Sequence, residues 1–339
     1  MFLIRRIACR SVAGAAWAFL AATIVEAAPI VIAHRGASGY LPEHTLVAKA
    51  LAHGQGADFI EQDIVLTKDN VPIVVHDIQL DTVSDVAEVF PGRAREDGRF
   101  YAIDFTLDEV RRLRVCERRD PRTGRQAYPE RFPTTTDAAL RISTFEEELD
   151  FLAGLNRSTG RRTGVYPEIK EPAWHRREGH DLSPLVLAAL RRHGFATRSD
   201  RCFVQCFDAD EVRRIRHELR WEGGLVQLLE DAPKDAPVDP LLAAGALATL
   251  AKTADGIGPP ISRVLDVDGR PTGLVAAAHA VGIVVHPYTF RVDQLPTFAG
   301  SAKEALQGIF AAAAVDGLFT DFPDVCVRWL QEHPPVSRP

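Results

Sequence analysis

The chain has 339 residues, 46% of them hydrophobic and 25% charged, with 24 Gly, 22 Pro and a net charge of −6. Those figures exclude a collagen-like repeat, a long coiled coil and a disordered chain, and the acidic balance argues against nucleic acid as a partner, because phosphate neutralisation needs a basic face. The length exceeds one ordinary domain but is normal for a single α/β barrel, whose core needs no disulfide or metal staple.

The first ten residues carry Arg5, Arg6 and Arg10, and fifteen uncharged residues run from Ser11 to Val25. Val25-Glu26-Ala27 ends the stretch with a small residue. This pattern predicts a cleaved secretory signal peptide over residues 1–27 and a mature chain of 28–339. The apolar run falls short of the ~20 residues that span a bilayer, so no stable membrane insertion is expected. Losing three Arg and one Glu with the leader takes the net charge from −6 to −8. The mature chain keeps Cys116, Cys202, Cys206 and Cys326. In an extended strand Cys202 and Cys206 would lie roughly 13 Å apart, too far to bridge each other, and free buried thiols are expected.

Short β-rich runs bounded by Gly, Pro or Asp follow in order: Ile30–His34, Asp58–Val65, Val71–His76, Gly164–Ile169, Arg201–Phe207, Gly224–Leu229, Asp255–Gly258, Gly282–Pro287 and Val315–Thr320. Only Thr67 to Asn70 separate the second and third runs, which predicts a hairpin there. Helical patterns occupy Thr45–Ala52, Leu185–Arg192, Ala209–Leu219, Pro240–Ala251 and Leu274–Ala280. With the hairpin's return arm counted as an extra, eight strand–helix units remain, the count of a TIM (β/α)8 barrel.

The 87 residues between His76 and Gly164 are too many for one connection. Residues from Asp77 to Arg162 are therefore expected to form a small, partly helical cap inserted after the second strand, together with the helix that leads into the next one. Thr106-x-x-Glu109 and Thr144-x-x-Glu147 match helix-starting capping boxes. The many arginines of this stretch are read as a solvated face.

In such a barrel, functional side chains project from the C-terminal ends of the strands. That rule selects His34-Arg35-Gly36 with Glu43 behind it, Glu61 and Asp63, His76, Glu168 and Lys170. Glu61 and Asp63 are two apart, so both face the same side of their strand. Two unpaired inward carboxylates are costly to keep ionised. A divalent metal held by Glu61, Asp63 and Glu168 resolves that cost, and hard oxygen ligands suit Ca²⁺ or Mg²⁺ rather than Zn²⁺. The competing arrangement is an ion-pair network with Arg35 and Lys170, which yields little net stability. His34 and His76 would flank the ion as a pair able to move protons near neutral pH. Arg35 and Lys170 add fixed positive charge suited to the oxygens of a phosphate ester.

The ordered series His34-Arg35-Gly36, Pro42-Glu43-His44-Thr45, Glu61-Gln62-Asp63, Val75-His76-Asp77, Tyr166-Pro167-Glu168-Ile169-Lys170, Gln205-Cys206-Phe207-Asp208, Val285-His286-Pro287-Tyr288 and Gly317-Leu318-Phe319-Thr320-Asp321-Phe322 resembles the glycerophosphodiester phosphodiesterases, and among them the periplasmic bacterial type. The similarity extends over the mature chain. His44 stands where the family more often has Asn.

The resemblance implies metal-dependent hydrolysis of deacylated phospholipid diesters, such as glycerophosphocholine and glycerophosphoethanolamine, to sn-glycerol 3-phosphate and an alcohol. It implies Glu61, Asp63 and Glu168 as ligands of one divalent cation, Ca²⁺ ahead of Mg²⁺. His34 and His76 would be the acid/base pair, with His76 weakly preferred as the acid, and Arg35 and Lys170 the phosphate contacts. Glu43 would help hold the site. Phe207, Tyr288 and Phe319 would line the substrate pocket or, equally, pack the core at the barrel mouth. The attacking oxygen is water or the substrate's own 2-hydroxyl. The partner is then a small-molecule glycerophosphodiester, the location the periplasm, and a homodimer is compatible with the sequence. A barrel phospholipase acting on intact lipid shares the metal-plus-histidine plan, but it needs an interfacial apolar surface that no basic amphipathic helix here supplies. A binding protein on the same barrel is the other alternative, since a fold does not fix a function.

Overall fold

A computed structural model of the chain describes residues 28–129, 131–132, 140–231 and 239–334. The expected signal segment, residues 1–27, lies outside the described residues, as do residues 130 and 133–139 of the expected insertion.

The strands are β1 (Ile30–Ala33), β2 (Phe59–Leu66), β3 (Pro72–Val74), β4 (Gly164–Ile169), β5 (Phe203–Cys206), β6 (Gly224–Leu228), β7 (Gly256–Gly258), β8 (Val284–Val285) and β9 (Gly317–Thr320). Eight of them form a parallel sheet in the order β8-β7-β6-β5-β4-β2-β1-β9, and β3 pairs antiparallel with β2 as the expected hairpin arm. The sheet curls until its two edges meet: the Asp316 N–H donates to Val285 O (3.1 Å), Phe319 N–H to Pro287 O (3.0 Å) and Phe290 N–H to Phe319 O (2.8 Å). This is the TIM barrel that the strand count predicts.

Period-2 alternation decides what fills the cylinder. Ile32, Phe59, Tyr166, Val226 and Phe319 form a buried layer of their own inside it. One residue pair further along the same strands, the inward positions turn polar at Glu61, Asp63, Glu168 and Gln205. Gly164 makes room for the layer, because a Cβ there would lie 2.5 Å from the Phe59 ring. The opposite strand faces pack against the helices in two larger apolar clusters.

The helix Leu46–Gln55 starts at Thr45, whose hydroxyl accepts the Ala48 N–H, and stops at Gly56 in the left-handed region. Both expected capping boxes form, opening the helices Leu107–Val110 and Phe145–Thr159. The single helix expected over Pro240–Ala251 is instead two pieces, a turn at Pro240–Leu242 and a helix at Ala246–Leu250. Gly245 at φ 82° breaks the run between them. Cys116, Cys202, Cys206 and Cys326 are free and buried. Among the described residues no helix is long and apolar enough to cross a membrane.

The insertion has its own small core. Leu80, Val83, Val86, Phe100, Phe105, Val110 and Leu113 cluster with Val65, Ile73 and Val75 of the β2–β3 hairpin. It is therefore seated on the hairpin, at the end of the barrel where the strand-end residues project.

Candidate active site

The first strand delivers its side chains through a tight turn. Arg35 at φ 58° and Gly36 at φ 87° turn the chain immediately after His34. A Cβ on Gly36 would lie 2.8 Å from the Ala48 carbonyl carbon, so both conformation and close approach require glycine there. The turn aims the Arg35 N–H at Glu61 Oε2 (2.5 Å). Register does the rest. Asp63 of β2 stands beside Glu168 of β4, which stands beside Gln205 of β5.

A cavity of about 280 Å³ at this end is lined by His34, Arg35, Glu61, His76, Glu168, Lys170, Gln205, Phe207, Leu228, Tyr288, Thr289 and Phe319. Nine of the eleven residues expected at the site line it. Of the other two, Asp63 is buried beneath it and Glu43 stands behind Arg35, which it binds through both carboxylate oxygens (3.0 and 3.1 Å). A larger groove of about 790 Å³ opens over the insertion between Asp77 and Arg125, but it holds none of the carboxylates of the strand ends and only reaches the back of the site.

The carboxylates carry opposed proton affinities. Burial pushes Glu61 well above its ordinary value, with Asp63 adding to the effect. Burial likewise lifts Glu168 to about 8, despite Lys170 beside it. Burial alone would raise Asp63 too, but Lys170, His76 and His44 together hold it well below the usual range. Asp63 Oδ1 is a buried oxygen without a hydrogen-bond partner, and the nearest cation, Lys170 Nζ, is 3.6 Å away. An orphaned, ionised carboxylate oxygen between two further carboxylates is what a hard divalent cation fits.

His44, Glu61 and Asp63 bring possible ligand atoms within 4.8 Å of one another, so the structure contains a candidate metal-binding group. Glu168, the third ligand expected, is outside that group and is held by Lys170 Nζ at 2.8 Å. The tautomer of His44 decides its part. The Lys49 ammonium, which can only donate, stands 3.2 Å from Nδ1, so Nδ1 accepts and Nε2–H donates to Asp63 Oδ2 at 2.8 Å. Burial, then Lys49, lowers His44 to about 3, which keeps it neutral. With a proton on Nε2 rather than a lone pair, His44 orients Asp63 and leaves the carboxylate oxygens as the candidate ligands. Lys49 is itself fixed by Glu61 O and by Glu148 Oε2 (3.2 Å).

Each histidine of the expected pair is tied to an aspartate. His34 Nδ1 donates to Asp321 Oδ1 (2.6 Å) and His76 Nδ1 to Asp77 Oδ1 (2.5 Å), so both present Nε2 lone pairs. Burial, then Arg35, lowers His76 to about 4. Burial would raise Asp321, but His34 and Arg291 hold it below its ordinary value.

The sequence reading missed His44, although it stands in the quoted Pro-Glu-His-Thr motif, and gave no role to Asp77 or Asp321, which sit in quoted motifs as well. It also placed the arginines of the insertion on a solvated face. That is corrected for Arg118, which reaches the site and donates to Glu43 (2.7 Å twice) and Asp77 (2.8 Å).

Residues 34–325 match the family model of the Glycerophosphoryl diester phosphodiesterase family. The chain is 41% identical over 337 residues to a glycerophosphodiester phosphodiesterase of Haemophilus influenzae, covering 92% of each chain. It is 38% identical over 326 residues to one of Treponema pallidum, covering 89% of this chain and 91% of that one. Among solved structures, a phosphodiesterase of Oleispira antarctica in complex with the product sn-glycerol-3-phosphate superposes with a TM-score of 0.62 at 19% identity, over 90% of this chain and 97% of that one. A glycerophosphodiester phosphodiesterase of Thermotoga maritima gives 0.56 at 18% identity, over 88% and 97%. The two structural likenesses speak for the barrel fold.

Proposed function

The chain belongs to the glycerophosphoryl diester phosphodiesterase family and has glycerophosphodiester phosphodiesterase activity, and on that premise we propose that it hydrolyses deacylated phospholipid diesters, such as glycerophosphocholine and glycerophosphoethanolamine, to sn-glycerol 3-phosphate and the head-group alcohol. The observation that carries this reading is that two imidazoles, each anchored through Nδ1 to its own carboxylate, open on the same cavity as Arg35, Lys170 and the acidic strand ends.

Glu61, Asp63 and Glu168 would hold one divalent cation, Ca²⁺ ahead of Mg²⁺, with Lys170 moving off Glu168 onto the substrate. Such an ion would withdraw charge from the diester oxygens and lower the proton affinity of the attacking oxygen, which is water or the substrate's own 2-hydroxyl. Arg35 and Lys170 bind the phosphate oxygens and offset the charge that builds on them. His76 enters the reaction neutral, as its lowered proton affinity supports, and accepts the proton of the attacking hydroxyl through Nε2. His34 picks up a proton at Nε2 as the Arg35 guanidinium leaves it for the phosphate, the Asp321 carboxylate on Nδ1–H offsets the imidazolium charge, and the Nε2 proton passes to the departing alkoxide as its bond to phosphorus breaks. This assigns His76 the basic part, the reverse of the weak preference drawn from sequence. Phe207, Tyr288 and Phe319 form the apolar wall against which the head group and glycerol backbone lie.

Residues 1–27 would direct export to the periplasm and be removed there, leaving the barrel with its insertion at about 77–162. Assay of the processed protein tests the whole reading. Released glycerol 3-phosphate from glycerophosphocholine, lost with EDTA and restored by Ca²⁺ or Mg²⁺, is the expected result. Turnover indifferent to EDTA would remove the metal, and faster cleavage of diacyl lipid vesicles would replace the substrate class.

A further inference from the structure

Each of these two aspartates uses one oxygen for its histidine, and its other oxygen leads to the insertion, directly from Asp77 and through Arg291 from Asp321. Asp77 takes His76 on Oδ1, while Oδ2 accepts from Arg118 Nη1 (2.8 Å) and the Thr82 hydroxyl (2.7 Å). Asp321 takes His34 on Oδ1, while Oδ2 accepts from Arg291 Nη1 (2.6 Å). The other end of Arg291 donates to the Tyr128 hydroxyl. Arg118 and Tyr128 lie ten residues apart on one segment of the insertion, so a single stretch of chain reaches both pairs, one directly and the other through Arg291.

That stretch is itself anchored. The Arg131 guanidinium lies 3.8 Å from the Tyr128 ring centroid, donates to Glu117 (2.7 Å) and reaches Gly39 O (2.7 Å) in the loop after β1. Arg118 also clasps Glu43 through two hydrogen bonds, and Glu43 in turn holds Arg35. A planar guanidinium suits this three-way task because its donors have a fixed fork geometry, which a lysine ammonium lacks.

We propose that the insertion is a brace for the catalytic groups, with Arg118 the positioning residue for His76 and Arg35, and Tyr128 the positioning residue, through Arg291, for His34. The proposal rests on the histidine reading above and extends it from the barrel to the insertion. Neither residue touches the reacting atoms; each fixes the carboxylate that fixes an imidazole. Because a shift of about 1 Å in a reacting group costs on the order of a hundredfold in rate, loosening either tie is felt in turnover.

The test compares Arg118→Ala, Arg118→Lys and Tyr128→Phe with the parent protein, using glycerophosphocholine and released glycerol 3-phosphate, with circular dichroism as a check on folding. Arg118→Ala is expected to lower kcat by about tenfold to a hundredfold, to regain rate on adding millimolar guanidinium chloride, and to be poorly replaced by lysine. Tyr128→Phe, which keeps the ring under Arg131, is expected to lower kcat less while remaining folded. Parental kcat in both Arg118→Ala and Tyr128→Phe overturns the brace. So does an Arg118→Ala loss that guanidinium leaves unrestored while the melting temperature falls, since that marks support of the fold alone. His34→Ala and His76→Ala are measured beside them. Full activity in those two would sink the histidine reading itself, whereas inactive histidine variants beside fully active arm variants sink only the brace.

Discussion

Asp63 and Glu168 stand side by side on adjacent parallel strands, and Lys170 spans them, with its Nζ 2.8 Å from Glu168 Oε1 and 3.6 Å from Asp63 Oδ1. One carboxylate of the pair is ionised and the other keeps a proton affinity near 8, because burial penalises a second charge and the single ammonium offsets only part of it.

Cation binding is therefore expected to expel protons. Ligating carboxylates must be ionised, so an ion entering between Glu61, Asp63 and Glu168 takes the place of the protons that burial retains there. Calorimetric titration of Ca²⁺ near neutral pH in buffers of different ionisation enthalpy should show proton release. Affinity should rise as pH climbs toward 8, by roughly tenfold per unit for each proton released. A heat and an affinity independent of buffer and pH would mean that all three groups are already ionised.

Asp321→Asn is expected to lower kcat by about 10²–10⁴-fold with little effect on KM. The carboxylate accepts Nδ1–H of His34 and so offsets the charge of the imidazolium whose Nε2–H protonates the leaving group. An amide carries no charge to offset it, and one turned to donate to Nδ1 would exclude the imidazolium altogether. Steady-state kinetics on glycerophosphocholine decide it. A loss below tenfold would leave Asp321 as no more than the ion-pair partner of Arg291.

The fold should weaken on the acid side of pH 6.5. His286 is fully enclosed in the barrel, against Tyr166 and Phe203, and burial lowers it from 6.5 to about 4. Between those values the unfolded chain binds the proton and the folded one does not. Stability from this group is complete above 6.5 and declines as pH falls toward 4, by about 3 kcal/mol in all. Urea denaturation at several pH values should show the slope, and His286→Gln, which keeps a hydrogen-bonding partner for Tyr166 but cannot titrate, should flatten it. An equal slope in the variant would assign the acid sensitivity to other groups.

What could be read from sequence follows how local its cause is. Glu61, Asp63, Glu168 and the His34–Arg35–Gly36 turn obey period-2 alternation and the strand-end rule, so the gathering of His34, Arg35, Glu61 and Glu168 around one cavity, with Asp63 beneath, was foreseeable. The proton state of His44 was not, since it depends on Lys49 being turned inward from a helix that the sequence marks only as amphipathic. Arg118 was hidden for another reason. Its carboxylate partners lie 75 and 41 residues away, and composition does not separate it from insertion arginines that pair at the surface, such as Arg111 with Glu147. The break at Gly245 was visible as a glycine, but a helix tolerates one often enough that the pattern alone extended through it.

The insertion should be separable from the barrel in its stability, because among the described residues its apolar cluster joins the rest of the chain through Val65, Ile73 and Val75 of the hairpin. Phe105 is fully buried there, its ring centroid 5.4 Å from that of Phe90 and 4.6 Å from the Arg93 guanidinium, and its carbonyl accepts the Lys68 N–H at 2.8 Å. Phe105→Ala removes a large core ring at a cost of about 3–5 kcal/mol, borne by the insertion before the eight-stranded barrel. Activity should then be lost at a lower temperature than the far-ultraviolet circular dichroism signal, since the arm bearing Arg118 and Tyr128 loosens while the strands persist. Coincident loss of activity and dichroism in Phe105→Ala would show instead that insertion and barrel unfold as one unit.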